Sequence, residues 1–177
     1  LYMSAIKSLL GVRRTTTNDV CLMEMGSPTV SGFIRDIQHK FFKKILSQRE
    51  GMADDPFTTV WMMAKDARTP CANYVVHLLE EDNPRALDEQ RLKAKVMQSQ
   101  RTKSQTYYMM MNPELQVHPV YTDKALDIPE YARISFTRLR VGSHNLAIEK
   151  GRWSRLPRDQ RLCLCSAIQT EEHVIAE

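Results

Sequence analysis

Residues 27 to 51 read SPTVSGFIRDIQHKFFKKILSQREG, and their spacing decides the fold class. Val30, Ile34, Ile37, Phe41 and Ile45 recur at steps of three and four, the period at which side chains share one face of an α-helix. Ser27 and Pro28 give a start signal and Gly51 a stop. Arg35, His39 and Lys43 form a second stripe at steps of four, with Lys40 and Lys44 beside it. The pattern predicts an amphipathic helix that packs its apolar stripe into a core. Arg35, Lys40, Lys43 and Lys44 are then expected on the outer face, as a candidate phosphate-contacting surface or as a merely solvated one.

The same punctuation runs in both directions from this helix. On its N-terminal side, Tyr2 to Leu10 puts Ile6, Leu9 and Leu10 on one face before Gly11, and Asn18 or Asp19 is placed to cap the short helix that Gly26 closes. On its C-terminal side, Asp55-Pro56, Pro70 and Asn83-Pro84 each open a helix, since proline fits the first helical position. The last of these is expected to run as one long polar helix from Arg85 to about Met111. From Asn112 to Tyr131 three prolines and no clear period predict a loop of about twenty residues, long enough to be functional or mobile. Asp127 with Pro129 starts a helix from Glu130 to Val141, and Ser143 is placed to cap another from His144 to Lys150, ended by Gly151. The last stretch reads as a turn with a short strand or two and a helix start.

A chain of 177 residues, 42% apolar and 26% charged, has enough material for a core without staples. No apolar run approaches the roughly 20 residues of a membrane-spanning helix, and the N-terminal stretch has no cleavage pattern, so neither anchor nor signal peptide is expected. Cys21 and Cys71 stand alone and Cys163 and Cys165 form one C-x-C pair, which is not a secreted disulfide framework and suits a reducing, intracellular compartment. The net charge is +4, with the excess concentrated in Arg91 to Lys103, five basic residues and no acid, and in Arg133 to Arg161, eight against two. Clusters of this kind suit the phosphates of RNA or DNA. The ten methionines are expected as adaptable packing.

Cys163, Cys165 and, eight residues on, His173 offer three soft or borderline metal ligands in a short turn. The alternative is a strand with alternating thiols and a histidine at a helix start. Around the turn stand Arg152, Trp153, Arg155, Arg158 and Arg161; arginine suits bidentate phosphate contact, and Trp153 either stacks on a base or buries its ring on the preceding helix. His39, His77 and His118 have no partner at ligand spacing, and His144 reads as a helix-start or packing residue rather than a catalytic one. Asp54-Asp55 imitates the acidic loop of a polymerase, but Pro56 follows it directly, so the pair reads as a helix cap.

The segment Leu139 to Glu177, LRVGSHNLAIEKGRWSRLPRDQRLCLCSAIQTEEHVIAE, resembles the region downstream of the polymerase core in LINE-type (non-LTR) retrotransposon proteins. There the pattern Arg-x-Gly-x-His-x-Leu-x-Ile-Glu-x-Gly-Arg-Trp is followed by a cysteine pair and His-x4-Cys. Arg140, Gly142, His144, Leu146, Ile148, Glu149, Gly151, Arg152 and Trp153 meet it here. The stretch from Lys7 to Val30 similarly resembles the helical thumb of those proteins, where a Leu-Leu-Gly and a Thr-x-Asn precede a Glu-x-Gly turn.

The resemblance implies a non-catalytic piece of a reverse transcriptase polyprotein, without the palm aspartates that hold the catalytic metals. It implies contacts to template RNA and target DNA, an upstream polymerase domain as partner, no membrane and a nuclear location after cytoplasmic assembly. It also implies zinc at Cys163, Cys165 and His173, with a fourth cysteine expected just past Glu177, so the chain is expected to be a fragment. Glu171, Glu172 or Glu177 could offer an oxygen instead. The expected fold is mostly α: a thumb-like helical bundle (1–80), a long polar helix and loop (81–126), and a helical segment with a truncated zinc-knuckle-like turn (127–177). Arg140 joins Arg35, Lys40, Lys43, Lys44, Arg152, Trp153, Arg155, Arg158 and Arg161 as a candidate nucleic-acid contact. Two rivals stand beside this: a host-retained helical module that binds a protein, and the remnant of a decayed element.

Overall fold

A computed structural model describes residues 1–49, 56–98, 103–123 and 125–176. The chain is mostly helical. In order the helices are α1 (Tyr2–Leu10), α2 (Asn18–Met25), α3 (Val30–Arg49), α4 (Pro56–Asp66), α5 (Pro70–Glu80), α6 (Pro84–Gln98), α7 (Lys103–Met111), α8 (Pro119–Thr122), α9 (Glu130–Arg140), α10 (Ala147–Trp153) and α11 (Glu171–Ala176). A 3-10 turn at Arg158–Gln160 follows α10, and among the described residues the only β pairing outside helices is one antiparallel bridge between Leu162 and Ile168. Asp54, Asp55 and Gly51, whose cap and stop roles the sequence suggests, lie outside the described residues.

The helices start and stop largely where the side chains dictate. Gly11 and Gly26 take left-handed conformations, φ 65° and 62°, and end α1 and α2, as a residue without Cβ does at no steric cost. Thr69 accepts a hydrogen bond from Ala72 N at the start of α5, and Asn83 Oδ1 accepts one from Ala86 N at the start of α6. The long polar helix is described as two, α6 and α7. The stretch after α7 is not a bare loop: Leu115 is fully buried and His118 caps α8 through Val120 N.

Two compact units result, residues 1–27 with 93–177, and residues 28–92. This division differs from one at residues 80 and 126, because the N-terminal pair of helices packs on α7 and α9, far along the chain. In the first unit α1 lies on α2 and α9, and α2 and α9 both lie on α7. Its core holds Ile6, Leu10, Val20, Leu22, Tyr108, Leu115, Val141 and Ile148.

In the second unit α5 packs on α3 and α4, with Ala72, Val75 and Leu78 buried. Here the sequence expectation is reversed. Val30, Phe33, Ile34, Ile37 and Phe41 of α3 are between 48 and 57% exposed, whereas Gly32 and His39 are buried and Arg35 pairs with Glu81. The reason lies at the start of the helix. Asp88 of α6, itself buried, accepts hydrogen bonds from Thr29 N (2.8 Å) and Thr29 Oγ1 (2.7 Å). A Cβ on Gly32 would sit 2.1 Å from the Asp88 carboxyl carbon. The one position of α3 without a side chain therefore faces α6, and that choice turns the apolar stripe outward.

Candidate metal centre

The last forty residues are built around a tight reversal. Gln169 N donates to Arg161 O at 2.9 Å and Cys163 N to Ala167 O at 2.7 Å, closing a hairpin across the Leu162–Ile168 bridge. Ser166, at φ 69°, makes the turn, and its N–H reaches back to Cys163 O. Thr170 then caps α11 by accepting from His173 N at 3.1 Å. That cap fixes His173 in the first turn, with its ring toward the hairpin.

Cys165 Sγ lies 3.1 Å from His173 Nε2, and the ligand atoms of Cys163, Cys165 and His173 all fall within 4.8 Å of one another. Ligand atoms around a tetrahedral ion with bonds of 2.0–2.3 Å lie about 3.3–3.8 Å apart. The three atoms stand close enough for small side-chain adjustments to bring them to that spacing, so these residues could hold a metal ion. The Cys163 thiol is brought down to about 7 by the backbone N–H of Cys165 and by the His173 ring, so much of it is thiolate, the ligating form, at neutral pH.

Gln169, which no spacing rule singles out, supports the ligands. Its Nε2 donates to Cys163 Sγ (3.7 Å), its Oε1 accepts from Ala147 N (2.6 Å), and its carbonyl accepts from Ile148 N. The hairpin is thus tied to the first turn of α10, in the way outer residues orient metal ligands.

The residues of the Arg140–Trp153 pattern prove to be the frame beneath this turn. His144 Nε2 meets Glu171 Oε1 at 2.9 Å, which anchors α11 two residues before His173. Tyr107 packs edge-on against His144, and burial together with Glu171, Glu149 and Glu172 pushes its phenol up to about 12. Arg161 donates to Ile148 O (3.0 Å) and twice to Leu156 O. A Cβ on Gly151 would stand 2.5 Å from Arg161 Cγ, so Gly151 lies inside α10 as a seat for that side chain and does not end the helix. Ser143 is no helix cap either; its Oγ accepts from Arg13 N.

Arg140, expected as a surface contact, is instead a core residue. It is 7% exposed, and its Nε and Nη2 donate to the fully buried Glu24 at 2.7 and 3.1 Å. This pair joins the two stretches that carry the resemblance, the Glu-x-Gly turn at Glu24 and the pattern beginning at Arg140. Trp153 is 53% exposed, with the guanidinium groups of Arg13 and Arg152 at 5.5 and 5.6 Å from its ring; Arg152 also pairs with Glu149 at 2.9 Å. Arg155 and Arg158 are exposed, whereas Arg161 is committed to backbone carbonyls.

In the second unit Lys43 and Lys44 are exposed, Lys40 is exposed but paired with Asp36, and Arg35 is held by Glu81. No family model, curated protein or solved structure matches the chain. No helix among the described residues is long and apolar enough to cross a membrane.

Proposed function

We propose that the chain is a non-catalytic, nucleic-acid-holding region of a LINE-type reverse transcriptase protein, and that the ion at Cys163, Cys165 and His173 is zinc. The observation that carries the reading is the convergence of those three ligands on a turn framed by the residues of the resembled pattern. Two thiolates and an imidazole are a donor set zinc favours. Zinc bound there would fix the hairpin against α11, and the surrounding Arg152, Arg155 and Arg158 would be held in a constant array. Together with Lys40, Lys43 and Lys44 they supply phosphate contacts, which position a strand without reading its sequence. DNA synthesis belongs, in the resembled proteins, to the polymerase core upstream.

The test is fluorescence anisotropy with single-stranded RNA and duplex DNA over a salt series. The expected log–log slope is about −0.7 to −0.9 per neutralised phosphate. Changing Arg155, Arg158, Lys43 and Lys44 to Gln should flatten it. No salt-dependent binding at low ionic strength would sink the reading.

A second reading, a helical module that binds a protein, is favoured by one observation: the five apolar side chains exposed along α3. Apolar faces of that kind are what partner helices occupy. Under this reading Phe33→Ser with Phe41→Ser abolishes partner binding and leaves nucleic-acid affinity unchanged.

A further inference from the structure

A cavity of about 140 Å³ opens in the first unit, lined by Gly11, Val12, Arg13, Arg138, Ser143 and Asn145. It is several times the roughly 30 Å³ share of one liquid water, and no acidic side chain lines it. Both arginines are fixed by backbone carbonyls. Arg13 Nη2 donates to His144 O (2.7 Å) and to Asn145 Oδ1 (3.2 Å), and Arg138 Nε donates to Gly11 O (2.6 Å). Arg13 Nε and Nη1 and Arg138 Nη1 and Nη2 have no hydrogen-bond partner among the described residues.

Two guanidinium groups held beside one cavity, with donors to spare and no counter-ion, are built to receive an oxyanion. Guanidinium forks match phosphate oxygens in pairs and lose little freedom on binding when already held. Arg13 also lies against the half-exposed ring of Trp153, so the edge of the cavity carries a surface on which a base can stack. We propose that this cavity binds a phosphate group of a single-stranded nucleic acid, with Arg13 and Arg138 as its two clamps and Trp153 beneath the neighbouring base. The identity of the strand rests on the reading above; the phosphate site does not.

The experiment uses the full chain with Trp61→Phe, so that Trp153 is the sole indole, titrated with an eight-nucleotide oligouridylate and, separately, with inorganic pyrophosphate. The oligonucleotide is expected to change Trp153 emission saturably. Arg138→Gln or Arg13→Gln should weaken it by about tenfold or more, the usual worth of a charge-assisted hydrogen bond. Arg138→Lys should fall between, because it keeps the charge and loses the fork. Should the Gln variants fold poorly, the wild-type chain still decides: bound oligonucleotide must protect Arg13 and Arg138 from phenylglyoxal. Pyrophosphate binding without oligonucleotide binding upholds the site and overturns the nucleic-acid reading. Oligonucleotide binding that ignores Arg13 and Arg138 but fails with Lys43→Gln and Lys44→Gln overturns the site and leaves that reading standing. No response to either probe overturns both.

Discussion

Glu24 has no contact with water, and four donor atoms point at its carboxylate: Arg140 Nε and Nη2, Tyr108 Oη at 2.9 Å and Tyr121 Oη at 2.8 Å. Asn112 and Thr137 complete the set by bonding the two phenols. A buried ion pair of this kind contributes little over an apolar pair of equal volume, but breaking one side leaves a charge stranded. Arg140→Met is therefore expected to cost about 3–5 kcal/mol, and Arg140→Met with Glu24→Met to recover much of it; a loss under about 1 kcal/mol in urea unfolding would contradict the arrangement. Burial and the Glu24 carboxylate push the phenols of Tyr108 and Tyr121 well above the ordinary range. Their folded value lies above the unfolded one, so their contribution to stability is complete below about pH 10 and is lost as pH climbs beyond it. A melting temperature that falls above pH 10, and falls less in Tyr121→Phe, is the expected result. Cys163 and Cys21 make a contrasting pair: one is lowered to about 7, the other pushed up to about 11 by burial. Iodoacetamide at pH 7 should label Cys163 well before Cys21, as read by mass spectrometry of the tryptic peptides, and equal rates at the two would contradict the contrast.

α3 buries the face that carries its polar contacts and leaves its apolar stripe exposed. Burying five apolar side chains would be worth roughly 1.5–3 kcal/mol each, yet the helix presents Gly32 to Asp88 and Arg35 to Glu81. Asp88 holds both the N–H and the hydroxyl of Thr29, and Thr29 Oγ1 in turn accepts from Gly32 N as the cap of the helix. Gly32→Ala should displace Asp88, strand the Thr29 donors and cost about 1–3 kcal/mol. Phe41→Ser, on the exposed face, should change stability by no more than about 0.5 kcal/mol, whereas Leu78→Ala in α5 should cost about 2–5 kcal/mol. If chemical unfolding ranked Phe41 with Leu78, the apolar stripe would be core after all.

For the molecule as a whole, each compact unit carries one tryptophan, Trp61 in residues 28–92 and Trp153 in residues 93–177. Zinc binding is folding free energy for the turn that receives it. Added zinc should raise the unfolding transition seen at Trp153 (Trp61→Phe) and leave the one seen at Trp61 (Trp153→Phe) in place. A further cysteine appended after Glu177 should strengthen that effect, since a third thiolate completes a tetrahedral set. Identical shifts at both reporters, or none at either, would remove zinc from the description.

By itself the sequence determined the mostly helical character, many helix ends and the grouping of three residues that could hold a metal ion. Proline, glycine and Asx or Thr caps act within a few residues, so the starts of α4, α5, α6 and α9 and the ends of α1 and α2 were legible without any neighbour. Cys163, Cys165 and His173 share an eleven-residue span, and a turn followed by a capped helix is enough to gather them. What the tertiary structure alone decided were the partnerships over long separations. Arg140 has the look of a surface cation until Glu24, 116 residues away, takes it into the core, and the stripe on α3 reads as core until Asp88 meets Gly32. Gln169 and Arg13 gave no signal, and Arg138 stood only as one cation in a basic run, because their roles lie in what they reach across space. Periodicity states that a helix has two faces; which face is buried depends on the shape and charge of the element that arrives to cover it.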